Sequence, residues 1–434
     1  MQRTEVVFPL EDGDGFKKKL LLWAQQYAEV IWLDSNDYKH LYPTFDAVLA
    51  VDALTAIKTD HHRAFDDLKE YQTTTADWIF GYLSYDLKND VEQLTSANPD
   101  HLHFPDLYFF QPKKIIFIRG NTAVFRYMPM VDDEVKDDFE TVCNIKETDN
   151  VDGHKRVEKG AVKARIPKEA YLEKVEQLLA HIHRGDIYEA NFCQEFYAED
   201  AEFSPLRAFS GLNAISRPPF AAYLKLEDKY LLSASPERYL KRTGNRVVSQ
   251  PIKGTARRAE SPEEDRKLKD ELENTPKERS ENIMIVDLVR NDLSVKAKKG
   301  SVQVEELCGV YTFEQVHQLV STVVAEVEDN TPSVDIIRST FPMGSMTGAP
   351  KISAMKIIEQ LEVTKRGLYS GAVGYFTPSG DFDFNVVIRS ILYNEENHYI
   401  SFTVGGAITA GSVPEKEYEE CMVKARAMRK VLEE

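Results

Sequence analysis

The chain has 434 residues, ample for a sizeable core in one large domain or in two or three ordinary ones. Its 71 acidic against 54 basic side chains leave a formal charge of −17, a field that repels nucleic-acid backbones and anionic lipid heads, so neither nucleic acid nor a membrane is an expected partner. An anionic small molecule can bind only where local cations or a metal overturn that field.

Four cysteines, Cys143, Cys193, Cys308 and Cys421, are scattered without a CxxC pair or a histidine at zinc-finger spacing, which argues against a disulfide framework and a structural zinc site. The most apolar early stretch, Leu20 to Leu33, is interrupted by Gln25, Gln26 and Glu29. It is too short and polar for a signal sequence or a membrane span, and the cytoplasm is the expected address.

Residues 1–130 mix short helical and strand patterns, and Trp78 to Asp86 alternates in the manner of a half-buried strand. From 131 to 165 the composition turns charged and poor in large apolar residues apart from Phe139, which predicts a linker or surface loop ahead of a larger region, 166–434. That region opens with a helix: Pro167 suits a first turn, and Leu172, Val175, Leu179 and Ile182 form a stripe that stops at Gly185. A strand from about Asn191 follows, then hairpins at 220–226/230–234 and 238–242/246–250, the second turned at Thr243-Gly244-Asn245. Next come a long helix from Asp265 to Leu293, strands at 302–307 and 320–327, and a helix at 350–361. Two more hairpins turn at 378–381 and 394–397, and a helix from Pro414 runs almost to the last residue. Many antiparallel hairpins with a few long helices predict an α+β fold.

Chemistry concentrates at Pro251-Ile252-Lys253-Gly254-Thr255 and at Lys277-Glu278-Arg279-Ser280-Glu281-Asn282. A lysine between proline and glycine in a tight turn can present an immobilised amine, the requirement for a nitrogen nucleophile. Glu278 and Glu281 are three apart on a helix and so share a face, as do Glu417 and Glu420; each pair can aim two carboxylates at one hard cation.

Nine segments in one order, GDIYEANF (185–192), SPE (235–237), PIKGT (251–255), KERSENIMIVDLVRNDL (277–293), FPMGSMTGAPK (341–351), GLYSGAVGYF (367–376), VVIRS (386–390), GGAIT (405–409) and PEKEYEEC (414–421), resemble the chorismate-utilising enzymes. The match is dense over 167–434 and loose before it, through GYLSYD (81–86). The resemblance implies two large antiparallel-rich sheets packed as a sandwich with helices outside and a Mg²⁺-dependent site between them. It implies Glu281 and Glu420 as metal ligands with Glu278 and Glu417 beside them, and Glu237 as the acid that protonates the departing C4 hydroxyl. Tyr369 and Arg389 would hold the enolpyruvyl group. Thr255, Ser345, Gly405, Gly406, Lys424 and His317 would complete the substrate pocket, with Gln318 next to His317 on the same strand.

Lys253 stands where anthranilate-, isochorismate- and salicylate-forming members have alanine. The resemblance therefore implies the branch that aminates chorismate at C4, with ammonia from a glutamine amidotransferase partner and a separate aminodeoxychorismate lyase downstream, toward p-aminobenzoate and folate. The alternatives are amination at C2 with loss of pyruvate, and a non-catalytic scaffold. Glu189 replaces the glutamine or lysine of relatives beside C2. It is expected on the Lys253 side of the ring, as a base or as a counter-ion. Ser216-Arg217-Pro218-Pro219-Phe220 stands in the place of an effector motif of tryptophan-inhibited relatives, with a different sequence.

Overall fold

The computed structural model describes residues 2–433 apart from 39–41, 43–44, 147–156, 159 and 315. Among the described residues 20 strands join in one hydrogen-bonded network, and the pairings are antiparallel. The network has two arms. In the first, Glu189–Ala198, Tyr399–Thr409, Ser390–Asn394, Lys229–Ser235, Phe220–Leu226, Glu29–Asp34 and Ala47–Thr59 lie side by side. In the second, the order is Ile79–Leu83, Ala372–Phe376, Phe382–Val386, Arg238–Thr243, Arg246–Gln250 and Val316–Glu326. The strand Ile252–Arg257 continues the edge of Val316–Glu326 beyond Arg246–Gln250, and Gln303–Thr312 takes the other edge. Leu107–Arg119 joins the arms, pairing with Ala47–Thr59 on one side and with Ile79–Leu83 on the other.

Side-chain alternation along the strands shows how the arms pack. In Glu29–Asp34, Val30 and Trp32 enter one core with residues of the helices Lys168–Arg184, Pro205–Ser216, Lys351–Leu361 and Pro414–Glu433. Ile31 and Leu33 enter a second core that mixes the arms: Ala50, Leu224 and Leu231 from the first meet Tyr239, Val323 and Phe384 from the second. The result is the expected α+β sandwich, helices outside, with its two sheets continuous through Leu107–Arg119.

Several local expectations change for physical reasons. Ile79–Leu83 is buried at every position because both faces are covered, so the aromatic alternation around it carries no exposed side. The helix expected from Asp265 to Leu293 is two helices, Pro262–Asn274 and Pro276–Ser294, divided at Thr275 because Pro276 has no N–H to continue the first. Within the stretch expected as a linker, Val135–Asn144 is helical, and its Phe139 ring stacks 4.0 Å from Phe8. On Lys168–Arg184 the buried stripe is Tyr171, Val175, Leu178 and Ile182, leaving Leu172 and Leu179 at its margin; Gly185, at φ 88°, closes the helix as expected. Among the described residues no helix is long and apolar enough to cross a membrane.

Candidate active site

Lys253 sits at the start of the strand Ile252–Arg257, and its Nζ lies 3.0 Å from Oε1 of Glu189, the first residue of Glu189–Ala198. Lys253 and Gly254 do not form the tight turn expected: pairing with Val316–Glu326 extends them as a strand with a bulge between Ile252 and Thr255, and this bulge is pressed onto the helix Pro276–Ser294. Gly254 adopts φ 89°, and a β-carbon there would stand 3.0 Å from both Oε2 of Glu278 and Cδ1 of Leu319. Glycine thus satisfies the left-handed backbone and the close approach together. Asn282 Nδ2 donates to the carbonyls of Lys253 and Leu319 at 3.4 and 3.3 Å, fixing the bulge against its neighbouring strand. Burial alone would depress the Lys253 amine. The Glu189 carboxylate, followed by Glu281 and Glu237, more than offsets it and leaves the amine above its ordinary range, hence protonated. Oε2 of Glu189 is buried with no hydrogen-bond partner among the described residues.

Glu237 follows the strand Lys229–Ser235 and is 4 % exposed. Burial lifts its carboxyl to about 7, against the opposing pull of the Ser345 hydroxyl, Lys253, the Ile252 N–H and Arg389. Ser345 lies on the single turn Gly344–Met346, which reaches the helix Pro276–Ser294 because Gly344 has no side chain; a β-carbon there would be 2.7 Å from Cδ2 of Leu288. Glu237 and Ser345 both line an open pocket of about 330 Å³.

Arg389 is not inside a strand as its apolar neighbours predict. The strand ends at Val386, and Arg389 turns at φ 51° with its half-buried guanidinium in the field of Glu237. Tyr369 is buried, 3.8 Å from the Cys193 thiol. Cys193 is in register with Gly405, where a β-carbon would stand 2.4 Å from its Sγ. The next residue, Gly406, opens onto the last helix: a β-carbon there would be 3.5 Å from Oε2 of Glu417, 3.8 Å from Oε1 of Glu420 and 4.0 Å from Nζ of Lys424. Lys424 Nζ donates to the Gly405 carbonyl at 2.8 Å and pairs with Glu420 at 2.7 Å.

The four glutamates proposed for a metal occupy the first two turns of Pro276–Ser294 and Pro414–Glu433. Lys277 bridges the two helices, 3.8 Å from Glu281 and 4.0 Å from Glu417. Burial raises Glu278, Glu417 and Glu281, the last to about 7, whereas for Glu420 the combined pull of Lys424, Lys277 and Lys253 outweighs burial and holds the carboxyl low. Among the described residues no three His, Cys, Asp or Glu side chains converge at metal-binding spacing. The donor set nonetheless fits a hard cation: its side chains offer oxygen alone, and Oε1 of Glu281 is buried without a hydrogen-bond partner among the described residues.

His317 and Gln318 part company, as neighbours on a strand must. His317 is held by Asp265 and Thr312, each at 3.0 Å. Gln318 faces the exposed Thr255, donating to its hydroxyl at 3.4 Å. Asn282 and Arg366 are functional positions that no local pattern in the sequence marks: Glu362 and Arg366 lie four apart in the irregular stretch after the helix Lys351–Leu361, so no helical face pairs them. Pro219 and Phe220, from the segment matched to an effector motif, border a separate, open surface pocket together with Asp34 and Arg238.

A model of the family described as chorismate binding enzyme matches residues 17–430. Anthranilate synthase component 1 of Thermus thermophilus is 36 % identical over 82 % of this chain and 77 % of its own length. Aminodeoxychorismate synthase component 1 of Salmonella typhimurium is 42 % identical over 61 % of this chain, the matched part spanning 57 % of that relative. Among solved structures, anthranilate synthase component I from Streptococcus pneumoniae superposes with a TM-score of 0.77 at 24 % identity, covering 91 % of this chain and 94 % of that one, a likeness of fold.

The buried Glu237 carboxyl makes a measurable mark on stability. Its folded value, about 7, exceeds the ordinary 4.5, so its favourable contribution is intact below about 4.5 and is lost as pH rises through 7. Glu237→Gln, which cannot ionise, is expected to gain thermal stability relative to the wild type between pH 5 and pH 8. Melting curves across that range check it; a difference independent of pH would show that Glu237 does not titrate there.

Proposed function

Since the chain belongs to the chorismate-binding enzymes, we propose that it aminates chorismate at C4 to give 4-amino-4-deoxychorismate with the enolpyruvyl group retained. The observation that carries this reading is the amine of Lys253 held at 3.0 Å from Glu189 and electrostatically coupled to Glu237. The amine becomes a nucleophile once its proton passes to Glu189. Attack by Nζ at C2 moves both ring double bonds, C1=C2 to C1=C6 and C5=C6 to C4=C5, and breaks the C4–O bond; Glu237, half protonated near neutrality, gives the hydroxyl the proton with which it leaves as water and is reprotonated by the proton that the bonded Nζ sheds. Ammonia then adds at C4, both double bonds return, the C2–N bond breaks, and the proton lost by the incoming nitrogen goes to the departing Lys253 amine. Arg389 and Tyr369 are the residues to hold the enolpyruvyl group, and the backbone at Gly405 and Gly406 a substrate carboxylate.

Mg²⁺ held by Glu281 and Glu420, with Glu278 and Glu417 beside them, would supply positive charge against the ring carboxylate in this acidic pocket. Ammonia would come from a glutamine amidotransferase, since none of the four cysteines stands in a GxCxG nucleophile elbow. A separate lyase would then remove pyruvate to yield p-aminobenzoate for folate, all in the cytoplasm. The second reading, amination at C2 with pyruvate release, draws support from the likeness to the Thermus protein. Lys253 weighs against it, because C2 is the carbon that the lysine is to occupy.

Incubation with chorismate, Mg²⁺ and ammonium separates the two readings. The expected product keeps its enolpyruvyl mass, becomes p-aminobenzoate only after an aminodeoxychorismate lyase is added, and nearly disappears in Lys253→Ala while chorismate still binds. Fluorescent anthranilate with free pyruvate would establish C2 amination instead.

For the metal, Glu281→Gln and Glu420→Gln are each expected to raise the Mg²⁺ concentration needed for half-maximal rate and to lower the maximum. EDTA should abolish activity reversibly. Full turnover in metal-free buffer, or an unchanged Mg²⁺ titration in either variant, removes that assignment.

A further inference from the structure

Arg366, just ahead of the GLYSGAVGYF segment, is 4 % exposed and uses its guanidinium almost completely. Nε and Nη2 form a fork on Glu362 at 2.9 and 2.6 Å. Nη2 also donates to the Asn191 carbonyl at 2.7 Å, and Nη1 donates to the Met346 carbonyl at 2.7 Å and, at 3.5 Å, to the Ser370 hydroxyl. One face of the guanidinium lies 4.5 Å from the centre of the Tyr85 ring. Glu362 in turn accepts the Cys193 N–H at 3.0 Å.

These contacts end on three separate pieces of chain, and each piece carries a candidate site residue. Asn191 and Cys193 are on the strand that begins with Glu189, the partner of Lys253. Met346 closes the turn that presents Ser345 to Glu237. Tyr369 follows Arg366 by three residues, and its N–H donates to the Arg366 carbonyl at 3.1 Å. The GYLSYD segment supports the same point: Asp86 accepts the Gly367 N–H at 3.0 Å, and the Gly367 carbonyl accepts the Tyr85 N–H at 2.8 Å.

We propose that the buried Arg366–Glu362 pair is the positioning device of the site, holding the Glu189 strand, the Ser345 turn and Tyr369 in one fixed relation. A buried ion pair adds little net stability over well-packed apolar residues, so what this pair contributes is its geometry. Five N–H groups in one plane reach two backbone carbonyls, a hydroxyl and a carboxylate at once. Lysine, with three donors on one nitrogen, cannot repeat that pattern. The effect on turnover rests on the function proposed above; the effect on the three segments does not.

The test is the double variant Glu362→Leu with Arg366→Met, which replaces the pair by apolar side chains and leaves no buried charge unpaired. Its melting temperature is expected to stay close to that of the wild type. Amide hydrogen exchange should quicken in 188–193 and 343–349, and kcat for chorismate consumption should fall by about 100-fold with KM little changed, the scale of effect of a small misplacement of reacting groups. Wild-type exchange or wild-type kcat in the folded double variant overturns the proposal. If the double variant fails to fold, Arg366→Lys, which keeps the charge, is expected to show the same exchange and kcat changes, and a wild-type result there is equally fatal. A wild-type product other than 4-amino-4-deoxychorismate counts against the proposed function alone, because exchange and the ratio of variant to wild-type consumption still decide the role of Arg366.

Discussion

The contact between Lys253 and Glu189 is the constraint on which the architecture turns. Glu189 begins a strand at one end of the first arm of the sheet, and Lys253 lies on an edge at the far end of the second. Along the hydrogen-bonded network they are about as far apart as two residues can be. They meet at 3.0 Å because the network folds back on itself through Leu107–Arg119 and packs arm against arm. Taking a lysine and a glutamate out of water costs several kcal/mol for each ion, recovered only if the partners are held closely. The sandwich core supplies that rigidity, and the glycine at 254 lets the bulged strand lie close to the helix Pro276–Ser294.

Around this pair the electrostatics follow from crowding acids into a buried space. Glu189, Glu237, Glu278, Glu281, Glu417 and Glu420 are balanced by Lys253, Lys277 and Lys424, together with the Arg389 guanidinium near Glu237. Burial keeps Glu237 and Glu281 near the neutral point, with Glu278 and Glu189 adding to the rise at Glu281, so that each can hold or give up a proton at physiological pH. The excess of acids opposes an anionic substrate, which makes added positive charge at the two helix N-termini chemically appropriate.

Much of the site was legible in the sequence because its parts are local. Glutamates three apart and hairpin turns at 243–245 and 378–381 each rest on a few adjacent residues, and the structure places two helical faces and hairpins there; the tight turn expected at Lys253-Gly254 is instead a bulged strand, because pairing with Val316–Glu326 extends it. What escaped depends on contacts distant in sequence. Nothing near His317 reveals that Asp265, 52 residues earlier, holds it. Nothing near Arg366 shows that it reaches back 175 residues to Asn191. The strand reading of Arg389 failed because apolar neighbours report burial, and a buried turn is as apolar as a buried strand. Proline at 276 was readable as a helix break, and the continuous charged and apolar periodicity on both sides of it concealed the break.

The central claim is that the Lys253 amine bonds covalently to the ring carbon. The most direct measurement is mass spectrometry with peptide mapping on the chain quenched during reaction with chorismate and Mg²⁺ in the absence of ammonia. The account predicts a peptide containing Lys253 heavier by chorismate less one water, an adduct that disappears when ammonium is added. Rapid ammonium-dependent turnover with Lys253 unmodified at every quench time would contradict it.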